Sequence, residues 1–424
     1  MKTNVLYLSF CIVALISFRA SAQTYDPLII NDTTSVPLID ETPTFDSYNF
    51  LYKQRLDSLQ AHVPLTYNES VQKYIDIYSN RKDQFGKMLG LSGYYFPIFE
   101  EALKSYDIPE EFKYLPIVES NMNPHAVSRV GATGIWQFMF GTAKGYGLNM
   151  DSYVDERKDP VQASYAAAAY FRDAYNALGD WLLVIASYNC GQGAVSRAVA
   201  KAGSRDFWDV RKFLPQETRN YVPAFIAAVY VMNFSKEHNI SLKQSEMMML
   251  TDSVQVNRHV SLPKLAKALG MDEDLLYRMN PAYKRKIVNG SEAAPKYIVM
   301  PRQTMGDLAM VYSVLNEEIA EEPAMRYASN SARQSGKSSS KSSPAVLYHR
   351  VSRGQNLSVI ADRYNVDVQD IKVWNKLKSA RLVPGQRLIV SKQVAQARPV
   401  APKPTKQYIS YKADNGGSAQ SGKI

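Results

Sequence analysis

Glu119 closes an otherwise apolar run, Tyr114-Leu115-Pro116-Ile117-Val118-Glu119-Ser120, and a polar turn, Asn121-Met122-Asn123-Pro124, follows it. Eighteen residues further on, Gln137 stands inside Gly131-Ala132-Thr133-Gly134-Ile135-Trp136-Gln137-Phe138. A single carboxyl in such a setting can act as a general acid or base. Pro109 suits the first turn of a helix, and Glu110 and Glu111 favour its positive end. Phe112, Leu115 and Glu119 then fall on one face, so Glu119 is expected to look inward. It also ends the helix, where the dipole disfavours a negative charge by about 0.3–1 kcal/mol. Desolvation acts in the same direction, and both effects raise its pKa. A carboxyl kept protonated near neutral pH is what a general acid needs. Spacing alone leaves open a second reading, a helix-end glutamate standing in water.

Other segments carry polar groups at element ends. The amide of Gln137 lies between Trp136 and Phe138, a combination that suits a sugar and equally suits an ordinary turn packed by Trp136. Gly179-Asp180 introduces an apolar helix that ends in Tyr188-Asn189, with Cys190 and two glycines after it. Pro215 to Pro223 precedes an apolar helix over 224–234, and Glu217 and Thr218 read as its polar start. Asp155-Glu156-Arg157-Lys158-Asp159-Pro160 is a charge run, expected to be a solvated turn, with Pro160 opening an alanine-rich helix to Leu178. Cys190 reads as a small buried hydrophobe rather than a nucleophile.

Around these lie elements that must position them. Apolar residues recur at helical spacing from Phe45 to Ser105: Tyr48, Leu51, Tyr52, Leu56, Leu59; then Val71, Tyr74, Ile75, Tyr78; then Phe96, Phe99, Leu103. Residues 23–44 are polar and aperiodic. The chain begins with Lys2, an apolar stretch from Val5 to Phe18, and Ala20-Ser21-Ala22 before Gln23, the form of a cleaved export signal. That stretch falls short of the roughly 20 residues of a membrane span; a retained anchor is the alternative. Cleavage would remove Cys11, leave Cys190 alone and exclude an intrachain disulfide framework. The net charge of +10 is uneven: from Glu322 onward 18 Lys/Arg face 5 Asp/Glu. A basic end of this kind is compatible with nucleic acid, an anionic membrane or an anionic wall polymer.

Taken together, Glu119-Ser120, Asn123-Pro124, Ser128, Gly131-Ala132-x-Gly134-x-Trp136-Gln137, Tyr188-Asn189-x-Gly191 and Glu217-Thr218-x-x-Tyr221-Val222 resemble the soluble lytic transglycosylase catalytic domain, within the goose-type lysozyme-like group. The helical lead-in and Asp155-Glu156-Arg157 look like the membrane-bound lytic transglycosylase D type. The resemblance implies cleavage of the β-1,4 bond between N-acetylmuramic acid and N-acetylglucosamine in peptidoglycan, with formation of a 1,6-anhydro ring. It implies that Glu119 is the sole catalytic acid and base, and that Ser128, Gln137, Tyr188, Asn189, Glu217 and Tyr221 hold substrate. It calls for no cofactor and no metal. Ordinary glycosidases need a carboxylate pair, and no second acid stands at a motif position close to Glu119.

The second half contains an internal repeat. Leu262, Ala266, Leu269, Met271, Leu276 and Asn280 recur, 95 residues later, as Leu357, Ala361, Tyr364, Val366, Ile371 and Asn375. Each unit reads strand, two short helices, strand. The second unit resembles the lysin motif (LysM), on Val351, Gly354-Gln355-Asn356-Leu357, Trp374-Asn375 and Leu382-Val383-Pro384-Gly385-Gln386. Such modules bind N-acetylglucosamine-containing glycans between the loop after the first strand and the loop before the second. That implies glycan-binding residues Gly354, Gln355, Asn356, Leu382, Pro384 and Gly385. The first unit lacks the first glycine loop, has an insert over 284–296, and reads as a packing module.

The expected architecture is an α+β multidomain chain: a mainly α-helical lysozyme-like catalytic domain followed by small βααβ LysM-type modules. Its divisions are a signal peptide (1–22), lead-in and helices (23–104), catalytic domain (105–240), degenerate LysM-like module (250–302), Ser/Lys linker (322–346), LysM module (347–392) and basic tail (393–424). Expected partners are peptidoglycan glycan strands and, through the tail, a wall or membrane surface; no nucleic acid is expected, and the oligomeric state is left open. The expected location is the periplasm or cell envelope. A hydrolytic muramidase of the same fold and a non-catalytic glycan-binding scaffold are the alternatives.

Overall fold

The computed structural model describes residues 49–302 apart from 246, 248 and 249, residues 305–316, and residues 347–391 apart from 353, 365, 367, 378 and 380. The expected signal peptide, the linker over 322–346 and the tail over 393–424 lie outside the described residues.

Ten α-helices make up the described part of the first unit. α1 (Phe50–Leu59) and α2 (Glu69–Asn80) start at Asn49 and Asn68, whose side-chain oxygens accept the N–H groups of Tyr52 and Val71. Each such cap is worth about 1 kcal/mol. α3 (Lys82–Lys104) follows. The single helix expected from Pro109 is divided into a 3₁₀ turn, Glu110–Tyr114, and α4 (Leu115–Ser120). Pro116 has no N–H for the Phe112 carbonyl, and the Leu115 N–H bonds that carbonyl instead.

α5 (Phe140–Gly145) precedes α6 (Pro160–Leu178), which begins at the Asp159 cap and ends at Gly179 in the left-handed region. The buried alanines 166–169 let α6 lie close to its neighbours. α7 (Trp181–Cys190) is capped by Asp180. α8 (Gln192–Ala202), α9 (Phe207–Val210) and α10 (Gln216–Asn233) complete the unit. α10 begins well before residue 224 and runs through Pro223. That proline leaves the Arg219 carbonyl without its helical N–H partner, and Arg211 Nε donates to it at 2.7 Å. One buried apolar cluster extends from Leu56 to Ile240, so the early helices and the motif-bearing helices share a core.

The first LysM-like unit contains β1 (Thr251–Val256), β2 (His259–Ser261), α11 (Leu262–Ala268), α12 (Glu273–Met279), β3 (Ile287–Asn289), β4 (Lys296–Pro301) and α13 (Met305–Asn316). β1 pairs antiparallel with β4, and β2 with β3. The extra β2–β3 pair and α13 go beyond the expected layout; Val311 and Leu315 of α13 are buried in the same core as Leu262 and Ile298. The second unit has the plain layout: β5 (Leu347–Arg350), α14 (Leu357–Tyr364), α15 (Val368–Trp374) and β6 (Arg387–Ser391), with β5 antiparallel to β6. The chain is therefore an α+β multidomain protein, mostly helical, with small antiparallel strand pairs. No helix among the described residues is long and apolar enough to cross a membrane.

Candidate active site

The chain bends sharply after Glu119. Asn121 and Met122 both take left-handed backbone angles (φ 53° and 58°), and Met122 N–H bonds the Pro116 carbonyl at 3.0 Å. This end holds Glu119 at the last turn of α4, half-buried, beside the fully packed Ile117 and Val118. Ser120 Oγ donates to the Ile135 carbonyl at 2.8 Å, joining α4 to the segment that carries Gln137.

That segment is an irregular hairpin. Bridges pair Val127 with Thr133 and Thr133 with Phe138. Ser128 N–H donates to the Ala132 carbonyl at 2.8 Å, while Ser128 Oγ accepts the Ala132 N–H at 3.0 Å. Gln137 is nearly buried in the left-handed region (φ 49°), an uncommon conformation for a residue with a side chain. Its Nε2 donates to the carbonyls of Gly134 (2.8 Å) and Ala126 (3.2 Å). Trp136, weighed as a sugar platform, is fully buried. Its ring packs on Phe99 and Phe171, and its Nε1 donates to Ser164 Oγ at 2.8 Å. The turn-packing alternative is the one the structure adopts.

Two further elements close around Glu119. From α10, the buried Tyr221 hydroxyl donates to Glu119 Oε1 in a short hydrogen bond. From the end of α7, Tyr188 donates its hydroxyl to the Trp136 carbonyl at 2.7 Å, and its ring lies against Phe138 and Phe171. Asn189 Oδ1 accepts the Thr218 hydroxyl at 2.6 Å, locking the end of α7 to the start of α10. Glu217 is exposed, and its charge reaches Glu119.

Burial is the largest influence on the Glu119 carboxyl and pushes its pKa up to about 8. The Tyr221 hydrogen bond opposes this, and the Glu217 charge adds to it. Burial also raises the Tyr188 and Tyr221 hydroxyls, with the Glu119 charge second. The Cys190 thiol is raised by burial and donates weakly to the Ala186 carbonyl at 3.5 Å. A cavity of about 840 Å³ lined by residues including His62, Glu100, Lys113, Trp181 and Asn233 contains none of the motif residues.

The charge run at 155–160 is the clearest departure from expectation. Asp155 and Arg157 are each 4% exposed, and Arg157 Nε and Nη2 grip the two Asp155 carboxylate oxygens at 2.9 and 2.8 Å. The run is not a solvated turn because Asp155 and Arg157 satisfy one another, Arg157 reaches a backbone carbonyl of the hairpin, and Asp159 caps α6. A charge run with no visible partner carries no sequence signal of this burial.

In the second module, Val351 N–H donates to the Gln386 carbonyl at 2.8 Å and Gly385 N–H to the Val351 carbonyl at 2.7 Å. These bonds set the loop of Gly354, Gln355 and Asn356 beside the loop of Leu382, Pro384 and Gly385. Gln355 Oε1 accepts from Ser352 N–H and from His349 Nε2, both at 2.8 Å, and Asn356 Oδ1 accepts the Val359 N–H at 2.9 Å. Both side-chain oxygens are thus engaged by the chain itself.

Residues 96–210 match the Transglycosylase SLT domain, residues 349–391 the LysM domain, and residues 250–313 the LysM-like domain described as Lytic transglycosylase MltD. The chain is similar to the Membrane-bound lytic murein transglycosylase D of Escherichia coli (strain K12), with 33% identity over 294 residues. It has the same similarity to the protein of that name from Escherichia coli O6:H1 (strain CFT073). The match covers 68% of this chain and 61% of each relative, so the chain spans about three fifths of the length of these curated relatives.

Proposed function

We propose that this chain is a peptidoglycan lytic transglycosylase of the cell envelope, with Glu119 as acid and then base. The observation that carries this reading is the Glu119 carboxyl itself: half-buried at a helix end, hydrogen-bonded by the Tyr221 hydroxyl, and raised to about pKa 8. Such a carboxyl holds its proton near neutral pH and can give it to a glycosidic oxygen. The C1–O4 bond then breaks, the muramic C6 hydroxyl attacks C1, and its proton passes to the Glu119 carboxylate. The products are a 1,6-anhydro end and a free 4-hydroxyl; no water is consumed. Ser128, Gln137, Tyr188, Asn189, Glu217 and Tyr221 shape the cleft. Ser128 keeps a hydroxyl proton, and Tyr188 and Gln137 fix the hairpin. The SLT domain match and the name of the relatives support the assignment.

The hydrolytic alternative needs a second carboxylate to activate water. Glu217 is the carboxylate whose charge reaches Glu119, yet it is exposed rather than held opposite it by any hydrogen bond among the described residues. The LysM module is proposed to bind glycan through the two tied loops. A Glu119→Gln variant tests the assignment: incubated with purified sacculi, it is expected to release no soluble fragments above background. Release at the parental rate would remove Glu119 from the mechanism.

A further inference from the structure

Two stretches of the first module, one after β1 and one after α12, are covered by the helical unit. His259 stands 95 residues before Gly354 in the repeat, at the loop after the first strand. Its ring meets Tyr153 of the helical unit edge-on, with centroids 6.0 Å apart. The loop between α12 and β3 pairs with the same segment through the backbone. Asp155 N–H donates to the Ala282 carbonyl at 2.9 Å, and Lys284 N–H to the Tyr153 carbonyl at 2.8 Å. Val154 between them is 2% exposed and belongs to the module's own apolar core, with Val260 and Tyr283. Residues 151–155 therefore lie against His259, at the position of Gly354 in the repeat, and against residues 282–284 at the start of the loop that follows α12.

The other end of this segment reaches the hairpin. Asp155 is bonded to the module by its N–H and to Arg157 by its carboxylate. Arg157 Nη1 donates to the Gly131 carbonyl at 3.2 Å, with a longer 3.5 Å contact to that of Phe138, on the two limbs of the hairpin. The hairpin also sits directly on the Arg157 backbone: a Cβ on Gly134 (φ 87°) would lie 1.7 Å from the Arg157 carbonyl oxygen. Module, segment, guanidinium and hairpin form one chain of direct bonds.

We propose that the first module is an internal brace. It takes residues 151–155 of its own chain against His259 and the loop after α12, and Arg157 is the positioning residue that passes this docking to the hairpin of Ser128 and Gln137. The inference rests on reading the Glu119 site as a lytic transglycosylase. Lysine at 157 keeps the charge and loses the fork that spans Asp155 and two carbonyls. Misplacement by about 1 Å can cost on the order of 10²-fold in rate.

The test compares full-length Arg157→Lys and Val154→Ala with the parent on soluble glycan strands, from about pH 5 to pH 9. The temperature is one at which circular dichroism shows the proteins folded. For Arg157→Lys the expected result is a kcat lowered about tenfold and an alkaline limb moved to lower pH, because a loosened hairpin admits water to Glu119. Val154→Ala is expected to move both in the same direction by less. Tyr188, Tyr221 and Glu217, the titratable groups around Glu119, are unchanged in both variants. A purely structural role would lower the melting temperature and leave the rate per folded molecule and the pH limb in place; that result would overturn the proposal. If Arg157→Lys does not fold, Val154→Ala decides by the same readouts. An inactive parent sinks the transglycosylase reading, and the brace with it. An active parent with unmoved variants sinks the brace alone.

Discussion

The two βααβ modules share one latch and differ in what lies against it. Asn280 Nδ2 donates to the Leu276 and Val299 carbonyls, and Val299 N–H returns to Asn280 Oδ1 at 2.8 Å. Asn375 repeats the pattern with Ile371 and Ile389. Each asparagine ties the second helix to the closing strand. The intervening loop differs: Asn280 and Val299 are 19 residues apart, Asn375 and Ile389 14. The longer loop pairs with residues 153–155, and the glycine of the first loop is a histidine packed on Tyr153. In the second module the N–H and carbonyl of Val351 tie the two loops together through Gln386 and Gly385. On the proposed reading a shared fold serves two uses, set by loop length and by one side chain in place of glycine.

The difference can be broken by removing either module. Deleting residues 250–316 uncovers Val154 and frees Asp155, and turnover of soluble glycan strands is expected to fall by on the order of 10²-fold. Parental turnover after that deletion would mean that the first module is a mere appendage. Deleting residues 347–391 should weaken binding to insoluble sacculi about tenfold through lost effective concentration. The rate on soluble strands should hold, which a parallel pull-down and turnover assay would check.

The latches give a finer comparison. Asn280→Ala and Asn375→Ala each leave buried backbone groups unpaired, at about 1–3 kcal/mol per group. The first substitution should slow turnover a few-fold, and the second should reduce sacculus binding only. Equal effects on turnover would erase the distinction.

The smallest effect concerns Glu119 itself. Its folded pKa of about 8 lies above the ordinary 4.5, so turnover should fall as pH rises through about 8. Between those values the folded state holds a proton that the unfolded chain releases, and stability declines as pH rises. Glu119→Gln removes that decline. The variant should match the parent at pH 4 and exceed it by about 1 kcal/mol or more at pH 9, read as a melting temperature about 2–4 °C higher.

Much of this was legible in the sequence. Apolar periodicity placed α1 to α3, and of the residues read from the motifs Tyr221 bonds Glu119 and Tyr188 lies near enough to feel its charge. The offset repeat located both modules, and the two asparagines explain why that position recurs. What escaped depends on contacts between distant segments. Arg157 is buried because it folds onto carbonyls of residues 131 and 138, and local charge density points the other way. Trp136 reads alike as a platform or a core residue until Phe99, Phe171 and Ser164 surround it. α10 extends back to Gln216 because Arg211 bonds the carbonyl that Pro223 leaves free. β2, β3 and α13 are short or lie past the repeat, where periodicity has little to register.

The central claim is that one carboxyl, Glu119, serves as acid and then base with no water consumed. Mass spectrometry of the fragments released from purified sacculi tests it most directly. The account predicts that the parent yields only 1,6-anhydro-muramic ends and that Glu119→Gln yields none. Reducing muramic ends from the parent, or anhydro ends formed at the parental rate by the variant, would contradict it.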